Sequence, residues 1–399
     1  MIARLMDDHS EAFLCWREAG LKGLTCLHLD AHLDVADETL APSTLASLVD
    51  CPPHELHRFR SSPERPWSGL HCGNFLYPAL HDGTVGHLIW VVPEWLPDPD
   101  LLAWLRTELH LWLDVQLEDY ASLRAANGRV EGRLCGRRLT VCTLERLPPL
   151  GAPLAIDIDV DYFIGLEDDR LWQSPAVVAN RLSLYRPDVV TVATSVRGGY
   201  TPADKAHLGT FLALQLTGRE LPDPTPEATR ADLAARWLAR NQPAEAMELL
   251  EPPCTLNERY LRSLALSRLE RHYEAGEELA SLLGEALSPL ERARLLALLG
   301  ESQMETGSYS KSIESFEQVL ELEPERGEIL FRLGISCWHD GQPDRAEEAL
   351  QRALALLEDR YSSLDVHEQL SRLYQVTGQP QEARRQQRLL EEKRYSIER

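Results

Sequence analysis

The chain has 399 residues, a hydrophobic fraction of 44% and a formal net charge of −22 at pH 7. This length accommodates two domains of ordinary size, and the negative charge argues against binding to nucleic acid or to an anionic membrane surface. The sequence contains no uninterrupted apolar run of the roughly 18 residues that a membrane-spanning helix needs, so it predicts no transmembrane helix.

The N-terminus and the cysteines bear on the compartment in which the protein works. Residues 1–9 lack the apolar core of a signal peptide. The eight cysteines are scattered and form no CxxC pair, a pattern typical of reduced thiols rather than of a disulfide framework or a cysteine zinc site. We therefore expect a cytoplasmic protein.

Apolar segments alternate with helical patterns in residues 1–217. The segments with the character of buried strands are Ile2–Met6, Leu24–Leu29, His87–Val92, Leu139–Leu144, Leu154–Ile158 and Val189–Ala193. Helices are predicted at Glu11–Ala19, Asn74–Leu80, Pro99–Leu113 and Pro202–Leu216. Repeated βα units predict an α/β domain with a doubly wound, mostly parallel sheet, and functional residues are expected at the carboxyl ends of its strands.

Two acidic clusters directly follow predicted strands. One is Asp30-Ala31-His32-Leu33-Asp34 and the other is Asp157-Ile158-Asp159-Val160-Asp161. Carboxylates at the end of a buried strand are costly unless something positive neutralises them, and neither segment contains Lys or Arg. Residues two apart in an extended chain point to the same side, so the side chains of each cluster can converge. The sequence therefore predicts a metal site, and its oxygen-rich ligands suit Mn²⁺ better than zinc.

The order of these motifs resembles that of the arginase (ureohydrolase) family. Asp8-His9-Ser10 comes first, then the Asp30 cluster, then the Asp157 cluster. The spacing of Asp161 departs from the usual arginase pattern. With Gly73-Asn74-Phe75 and Gly199-Tyr200-Thr201-Pro202, it resembles a divergent subfamily that includes the peptide arginases, which convert arginine to ornithine inside ribosomally made peptides.

The resemblance implies an arginase-type fold that holds two Mn²⁺ ions. Carried over by position, one metal takes His9, Asp30, Asp34 and Asp157, and the other takes Asp30, His32, Asp157 and Asp159. In that arrangement Asp30 and Asp157 bridge the two metals, and Asp34 also orients the attacking water. Asp161 is either a ligand, a carboxylate that supports the ligands or a surface residue at the strand end, and we expect the supporting role. Two metals can activate a water molecule for hydrolysis at neutral pH.

Further residues have expected roles that the sequence leaves open. His71, in Ser68-Gly69-Leu70-His71, resembles the proton-shuttling histidine of arginases, or it is a structural loop residue. Asn74 either contacts the substrate or a carboxylate, or caps a helix. Where arginases carry an acidic residue that contacts the guanidinium, this chain has Thr191. Thr191 and Ser195 are therefore candidate substrate contacts, and the residue that recognises the guanidinium is not identified.

A Pro-rich segment, 218–227, predicts a linker, and residues 228–399 that follow it are helical and repetitive. Gly300 and Gly334 are 34 residues apart, as are Gly307 and Gly341. A period of about 34 residues is the tetratricopeptide spacing, so an all-α solenoid with a concave face is expected.

Together these features predict a metal-dependent hydrolase that converts arginine side chains in a ribosomally made peptide to ornithine and urea. The repeats would hold part of the peptide substrate, or serve only as a scaffold or dimerisation element; the sequence permits an oligomer. Two alternatives remain open: a deacetylase-type metal amidohydrolase, and a peptide-binding adaptor without catalytic activity.

Overall fold

The structure is a computed structural model, and it describes residues 1–36, 40–62, 65, 68–95 and 100–398. The chain divides into two compact units. The first comprises Met1–Glu38, Ala46–Leu113 and Ser122–Glu251; the second comprises Thr39–Leu45, Asp114–Ala121 and Pro252–Arg399. No helix in the described part of the chain is both long and apolar enough to cross a membrane.

The first unit contains an eight-stranded sheet. Its strands are β1 (Ile2–Met6), β2 (Leu24–Leu29), β3 (Val85–Val91), β4 (Arg124–Ala126), β5 (Arg129–Leu134), β6 (Arg137–Cys142), β7 (Leu154–Asp159) and β8 (Val189–Ala193). They lie in the order β1-β8-β7-β2-β3-β6-β5-β4. All neighbouring pairs are parallel except β4–β5 and β5–β6. The predicted mostly parallel sheet is confirmed.

Sequence patterns located the central strands but missed the antiparallel edge. The predicted bounds of β1, β2 and β8 match the structure to the residue. These strands are mostly apolar, with Arg4, Thr25, His28 and Thr191 as the exceptions. Every residue of β2, β7 and β8 is buried. The β4–β5 hairpin is more polar, and its signal was the turn Asn127-Gly128, whose φ angles are 55° and 72°. An Asn-Gly pair with two positive φ angles is the type I′ hairpin signature.

Helices connect the strands along the first 217 residues. They are α1 (Glu11–Glu18), α2 (Pro42–Asp50), α3 (Leu76–His81), α4 (Leu101–Trp112), α5 (Leu117–Ser122), α6 (Pro175–Leu182) and α7 (His207–Thr217), with 3₁₀ turns at Pro53–Phe59, Leu144–Arg146, Val160–Phe163 and Ala203–Lys205. The helix predicted from Pro99 begins at Leu101, and Pro99 itself lies outside the described residues. The helix predicted from Pro202 is a 3₁₀ turn followed by α7.

The remainder of the chain is helical. Its helices are α8 (Arg230–Ala239), α9 (Pro243–Leu250), α10 (Leu256–Arg268), α11 (His272–Leu282), α12 (Pro289–Glu305), α13 (Tyr309–Leu322), α14 (Gly327–His339), α15 (Pro343–Leu357), α16 (Ser363–Val376) and α17 (Pro380–Glu398). Consecutive helices pack as pairs, because small residues allow close approach. Gly300 of α12 lies under Phe316 of α13, and a Cβ there would come within 2.6 Å of the Phe316 ring.

The compact units divide the chain at a different place from the predicted linker 218–227. Helices α8 and α9 belong to the first unit. The reason is visible at Arg236 of α8, whose guanidinium donates to the carbonyl oxygens of Gly199 and Tyr200 and forms an ion pair with Asp169. A Cβ on Gly199 would meet the α8 backbone at 2.4 Å, so the helix is closely packed there.

Candidate metal centre

The acidic clusters and His9 meet at the carboxyl edge of the parallel strands. His9 follows β1 and Asp30 follows β2. Asp157 and Asp159 lie at the end of β7 and, being two residues apart, face the same side of the sheet. His28 of β2 stands directly opposite Asp157 in the strand register. These side chains are almost fully buried: His9 0%, His28 0%, Asp30 1%, Asp34 8%, Asp157 0%, Asp159 3% and Asp161 4% exposed.

His9 has different surroundings at its two ring nitrogens. Its Nε2 lies 3.0 Å from Asp157 Oδ2, and because a carboxylate only accepts, Nε2 carries the proton. Its Nδ1 lies 3.2 Å from an Oδ2 of each of Asp30, Asp34 and Asp159. Neither His9 Nδ1 nor Asp30 Oδ2 has a hydrogen-bond partner among the described residues. Two fully buried polar atoms are thus left unsatisfied, which is costly for a protein.

A divalent cation fits these atoms. Around an ion with ligands at about 2.1 Å in octahedral geometry, adjacent ligand atoms lie about 3 Å apart, close to the 3.2 Å separations around His9 Nδ1. His9, Asp30 and Asp34 form one group of side chains able to share an ion. Carboxylate oxygens with an imidazole suit Mn²⁺ or a similar hard cation.

A second group lies around His32. The His32 Nδ1 is 2.8 Å from Asp161 Oδ2 and 3.6 Å from Asp30 Oδ1, and these three residues could also hold an ion. Asp161 was expected to support other ligands, with a ligand role also open, and the structure places its carboxylate directly against His32. The His32 side chain is 40% exposed and its ring meets the edge of Tyr200, with centroids 5.0 Å apart.

His28 belongs to the site and was missed in the sequence. Its Nδ1 donates to Asp157 Oδ2 at 2.8 Å, and its Nε2 donates to the carbonyl oxygen of His32 at 3.2 Å. Burial lowers the pKa of His28, but the Asp30 charge and the hydrogen bond to Asp157 outweigh this effect and raise that pKa above its usual value. The sequence pattern that could have revealed it is His28-x-Asp30-x-His32-x-Asp34. In this pattern His28 lies two residues before the acidic cluster that begins at Asp30.

The pKa values show how strongly negative charge is concentrated here. Burial raises the pKa of Asp30, but the His28 charge outweighs it and holds that pKa far below its usual range. Asp157 shows the same balance, with His9 as the largest lowering influence on its pKa. Burial and the Asp30 charge raise the pKa of Asp34 to about 7. Burial and the charges of Asp159 and Asp30 also raise the pKa of Asp161 well above its usual value. The carboxylates therefore repel one another, and a divalent cation would relieve this repulsion.

The three predicted substrate contacts, Thr191, Ser195 and Asn74, make hydrogen bonds to other residues of the protein. The Thr191 hydroxyl donates to Asp157 Oδ1 at 2.5 Å, and the Ser195 hydroxyl donates to Asp159 Oδ2. Asn74 accepts from the His71 backbone N–H and donates to the Gly69 carbonyl oxygen. All three residues are at most 2% exposed, so the structure shows them holding carboxylates or the 69–71 loop, and their substrate roles stay predictions.

His71 lies on this loop and is partly buried. Its Nδ1 accepts a hydrogen bond from the Gly73 N–H at 3.1 Å, which leaves the ring proton on Nε2. A proton-shuttling role would therefore use Nε2, and that role stays a prediction.

Two non-glycine residues of the site have left-handed backbones. Asp34 has φ 56° and Ser195 has φ 48°. Such conformations are costly for residues with a Cβ and concentrate at functional sites. Ser195 is held by the Asp7 carboxylate, which accepts from the Thr194 hydroxyl at 2.8 Å and from the Val196 N–H at 2.9 Å. The turn that presents Ser195 to Asp159 is thereby fixed.

Comparisons with known proteins identify the repeats. The sequence model of a family described as "Tetratricopeptide repeat" matches residues 297–361, which confirms the repeat prediction there. No curated protein sequence matches the chain. Among solved structures, MamA 41-end from Desulfovibrio magneticus RS-1 is similar, with 19% identity and a TM-score of 0.38, covering 43% of this chain and 98% of its own. MamA AMB-1 is similar with 20% identity and a TM-score of 0.35, covering 41% and 95%.

Proposed function

We propose that the protein is a metal-dependent hydrolase that acts on arginine side chains of a peptide, releasing urea and leaving ornithine, with two Mn²⁺ ions as resident cofactors. The observation that carries the proposal is a pair of buried atoms without a hydrogen-bond partner, His9 Nδ1 and Asp30 Oδ2, which lie 3.2 Å apart among carboxylates at the carboxyl edge of a parallel sheet. In α/β sheets this edge is where ligands bind.

The cofactor and the side chains have separate tasks in this proposal. Divalent ions supply Lewis-acid chemistry and activate water at neutral pH. His9, Asp30 and Asp34 would hold one ion, and Asp30, His32 and Asp161 would hold another. A third group able to share an ion consists of His9, His28 and Asp157. Asp34 is the most exposed carboxylate of the centre at 8%, and His32 is the most exposed imidazole. The substrate therefore approaches from the side of Asp34 and His32.

The order of the acidic motifs, which resembles that of arginases, favours a guanidinium as the reacting group, and the repeats favour a peptide as the substrate. Tetratricopeptide arrays supply extended binding surfaces, which a peptide substrate would use and a free amino acid would not.

Mass spectrometry of arginine-containing peptides after incubation with the Mn²⁺-loaded protein tests the proposal. Conversion to ornithine lowers the peptide mass by roughly 42 units and releases urea as the hydrolytic product. Deacetylation of an acetyl-lysine peptide causes a similar loss without urea, so a urea assay accompanies each reaction. The metal-free protein is the matched control.

The outcomes separate the candidate functions. Mass loss with stoichiometric urea supports the arginase-type reaction. Mass loss from acetylated peptides alone would identify a deacetylase-type amidohydrolase. If the protein contains metal and binds the peptide but causes neither mass loss nor urea release, the peptide-binding adaptor without catalytic activity is favoured.

A further inference from the structure

Helix α8 packs directly against the turn that follows β8. The Gly198 N–H donates to Asp232 Oδ1 at 3.0 Å. Arg236 Nη1 donates to the carbonyl oxygens of Gly199 and Tyr200. Gly199 has φ 79°, and a Cβ there would lie 2.4 Å from the Asp232 carbonyl oxygen. Because both the backbone angle and the close approach favour glycine, the turn is fitted to this helix.

Arg236 also joins this turn to the loop that follows β7. Its guanidinium forms an ion pair with Asp169, and its side chain is only 9% exposed. A buried charge is costly unless it is paired and hydrogen-bonded, and here one carboxylate and two carbonyl oxygens meet it. The planar guanidinium has five donors in a fixed arrangement, so it can serve three acceptors at once. Arg236 therefore links the segments that follow two neighbouring strands of the metal centre.

Tyr200 is the side chain that the turn brings to the metal centre. Its ring meets the His32 ring edge-on, with centroids 5.0 Å apart and an interplanar angle of 76°. Its hydroxyl is hydrogen-bonded to the side chain of Cys72, which follows His71 in the sequence. Tyr200 and His32 are both partly exposed. Tyr200 therefore lies on the side from which the substrate is proposed to approach.

We infer that Arg236 is a positioning residue of the metal centre, and that it acts by holding the Tyr200 ring against His32. Helix α8, which the sequence assigned to the repeats, then belongs to the catalytic machinery of the first unit. The inference rests on the proposed function, since the approach that Tyr200 borders is that of the arginine side chain. The contact that Arg236 maintains can nevertheless be measured without turnover.

Fluorine NMR of the full-length, metal-free protein tests the contact. The chain is labelled with 3-fluorotyrosine, and Tyr200→Phe identifies the Tyr200 signal among those of the 11 tyrosines. Arg236→Met keeps a long, unbranched side chain at the buried position but removes every donor. The Tyr200 signal is therefore expected to shift or to split into several signals. An unchanged Tyr200 signal in a folded Arg236→Met protein would overturn the inference.

Arg240→Met is the matched control. Arg240 also lies near the end of α8, and its Nη2 is 2.5 Å from the same Asp169 carboxylate. The bonds to the carbonyl oxygens of Gly199 and Tyr200 come from Arg236. Arg240→Met should therefore leave the Tyr200 signal where it is in the wild type. An equal shift in both variants would assign the effect to the Asp169 ion pairs and contradict the inference.

Kinetics of the Mn²⁺-loaded protein test whether Arg236 acts through Tyr200. Arg236→Met is expected to lower kcat/KM for both a long arginine-containing peptide and a short arginine compound. The loss should reach up to about 10²-fold, since a displacement of about 1 Å at a site has effects of this size. In a Tyr200→Ala background the same change should have little further effect, because the two residues are coupled. Equal losses in the two backgrounds would show that Arg236 does not act through Tyr200.

Hydrogen exchange of the unaltered protein removes any dependence on how the variants fold. The Gly198 N–H donates to Asp232, and the Gly199 N–H donates to the Val196 carbonyl oxygen. Slow exchange is therefore expected for residues 198–201, measured by mass spectrometry of peptic fragments. Exchange of this segment as fast as that of an unstructured peptide would overturn the inference.

The inference and the proposed function can fail separately. A protein whose Tyr200 signal depends on Arg236 but that releases no urea retains the positioning contact and loses the arginase-type reaction. A protein that releases urea, and whose Tyr200 signal and kcat/KM are unchanged by Arg236→Met, keeps the reaction and loses the inference.

Discussion

Asp30 is the residue on which the metal centre most depends. Its Oδ2 faces His9 and its Oδ1 lies 3.6 Å from the His32 Nδ1, so it belongs to two of the three groups of described side chains that could hold an ion. Asp30→Asn is therefore expected to reduce Mn²⁺ content from two ions per chain to nearly none, measured by elemental analysis.

Glu291→Gln is the control for that measurement. Glu291 is also a buried carboxylate, but it accepts from the Ser288 backbone N–H at the start of α12, among the repeat helices. This change should cost about 1 kcal/mol of helix capping and leave the metal content unchanged. Retention of both ions by Asp30→Asn would contradict the assignment of Asp30.

His71 is predicted to transfer a proton in catalysis. His71→Ala should lower kcat by about 10²–10⁴-fold while Mn²⁺ content stays at the wild-type value, because His71 is not among the grouped metal-holding residues. His57→Ala, on the preceding 3₁₀ turn, is the control and should leave kcat unchanged. Wild-type turnover in His71→Ala would make His71 a loop residue whose Nδ1 only secures Gly73.

The sequence predicted well those elements that a local residue pattern identifies. Mostly apolar segments identified β1, β2 and β8, and the acidic motifs at strand ends identified most of the carboxylates that the fold brings together. Long-range pairing was the missing information. Only the register between β2 and β7 shows that His28 faces Asp157, and only the fold shows that the Thr191 hydroxyl binds Asp157 instead of pointing at a substrate.

The repeat helices make a quantitative prediction about packing. Gly300→Ala would place a Cβ 2.6 Å from the ring of Phe316, which is fully buried and cannot move aside. Overpacking of this kind typically costs about 1–3 kcal/mol, so the thermal unfolding midpoint should fall. The measurement is denaturant or thermal unfolding followed by circular dichroism.

Gly276→Ala supplies the contrast within the same array. Gly276 is also helical, but a Cβ there would make ordinary contacts of 3.7 and 3.8 Å. Replacing a helical glycine by alanine then raises stability by about 0.5–1 kcal/mol. Equal effects of the two substitutions would show that the close approach of α12 and α13 does not explain the glycine at position 300.

The second unit offers a surface on which a peptide could be held. A cleft of about 200 Å³ between repeat helices is lined by Trp338, Ile335 and Gln369, among others. Tryptophan side chains often contribute most to binding at such surfaces. The proposed division of labour is that the repeats bind residues flanking the reacting arginine, while the centre of the first unit performs the hydrolysis.

Kinetics of the full-length protein test this division. Trp338→Ala should raise KM for a long arginine-containing peptide by about 10-fold or more, and it should leave kcat for a short arginine compound unchanged. The reason is that remote binding that is equal in the ground and transition states alters KM and not kcat. Tyr273→Ala, which removes an aromatic side chain that is 71% exposed elsewhere in the array, should alter neither parameter. If Trp338→Ala, shown by circular dichroism to be folded, handles long and short substrates as the wild type does, this cleft does not hold the substrate, and the repeats bind it elsewhere or bind another protein.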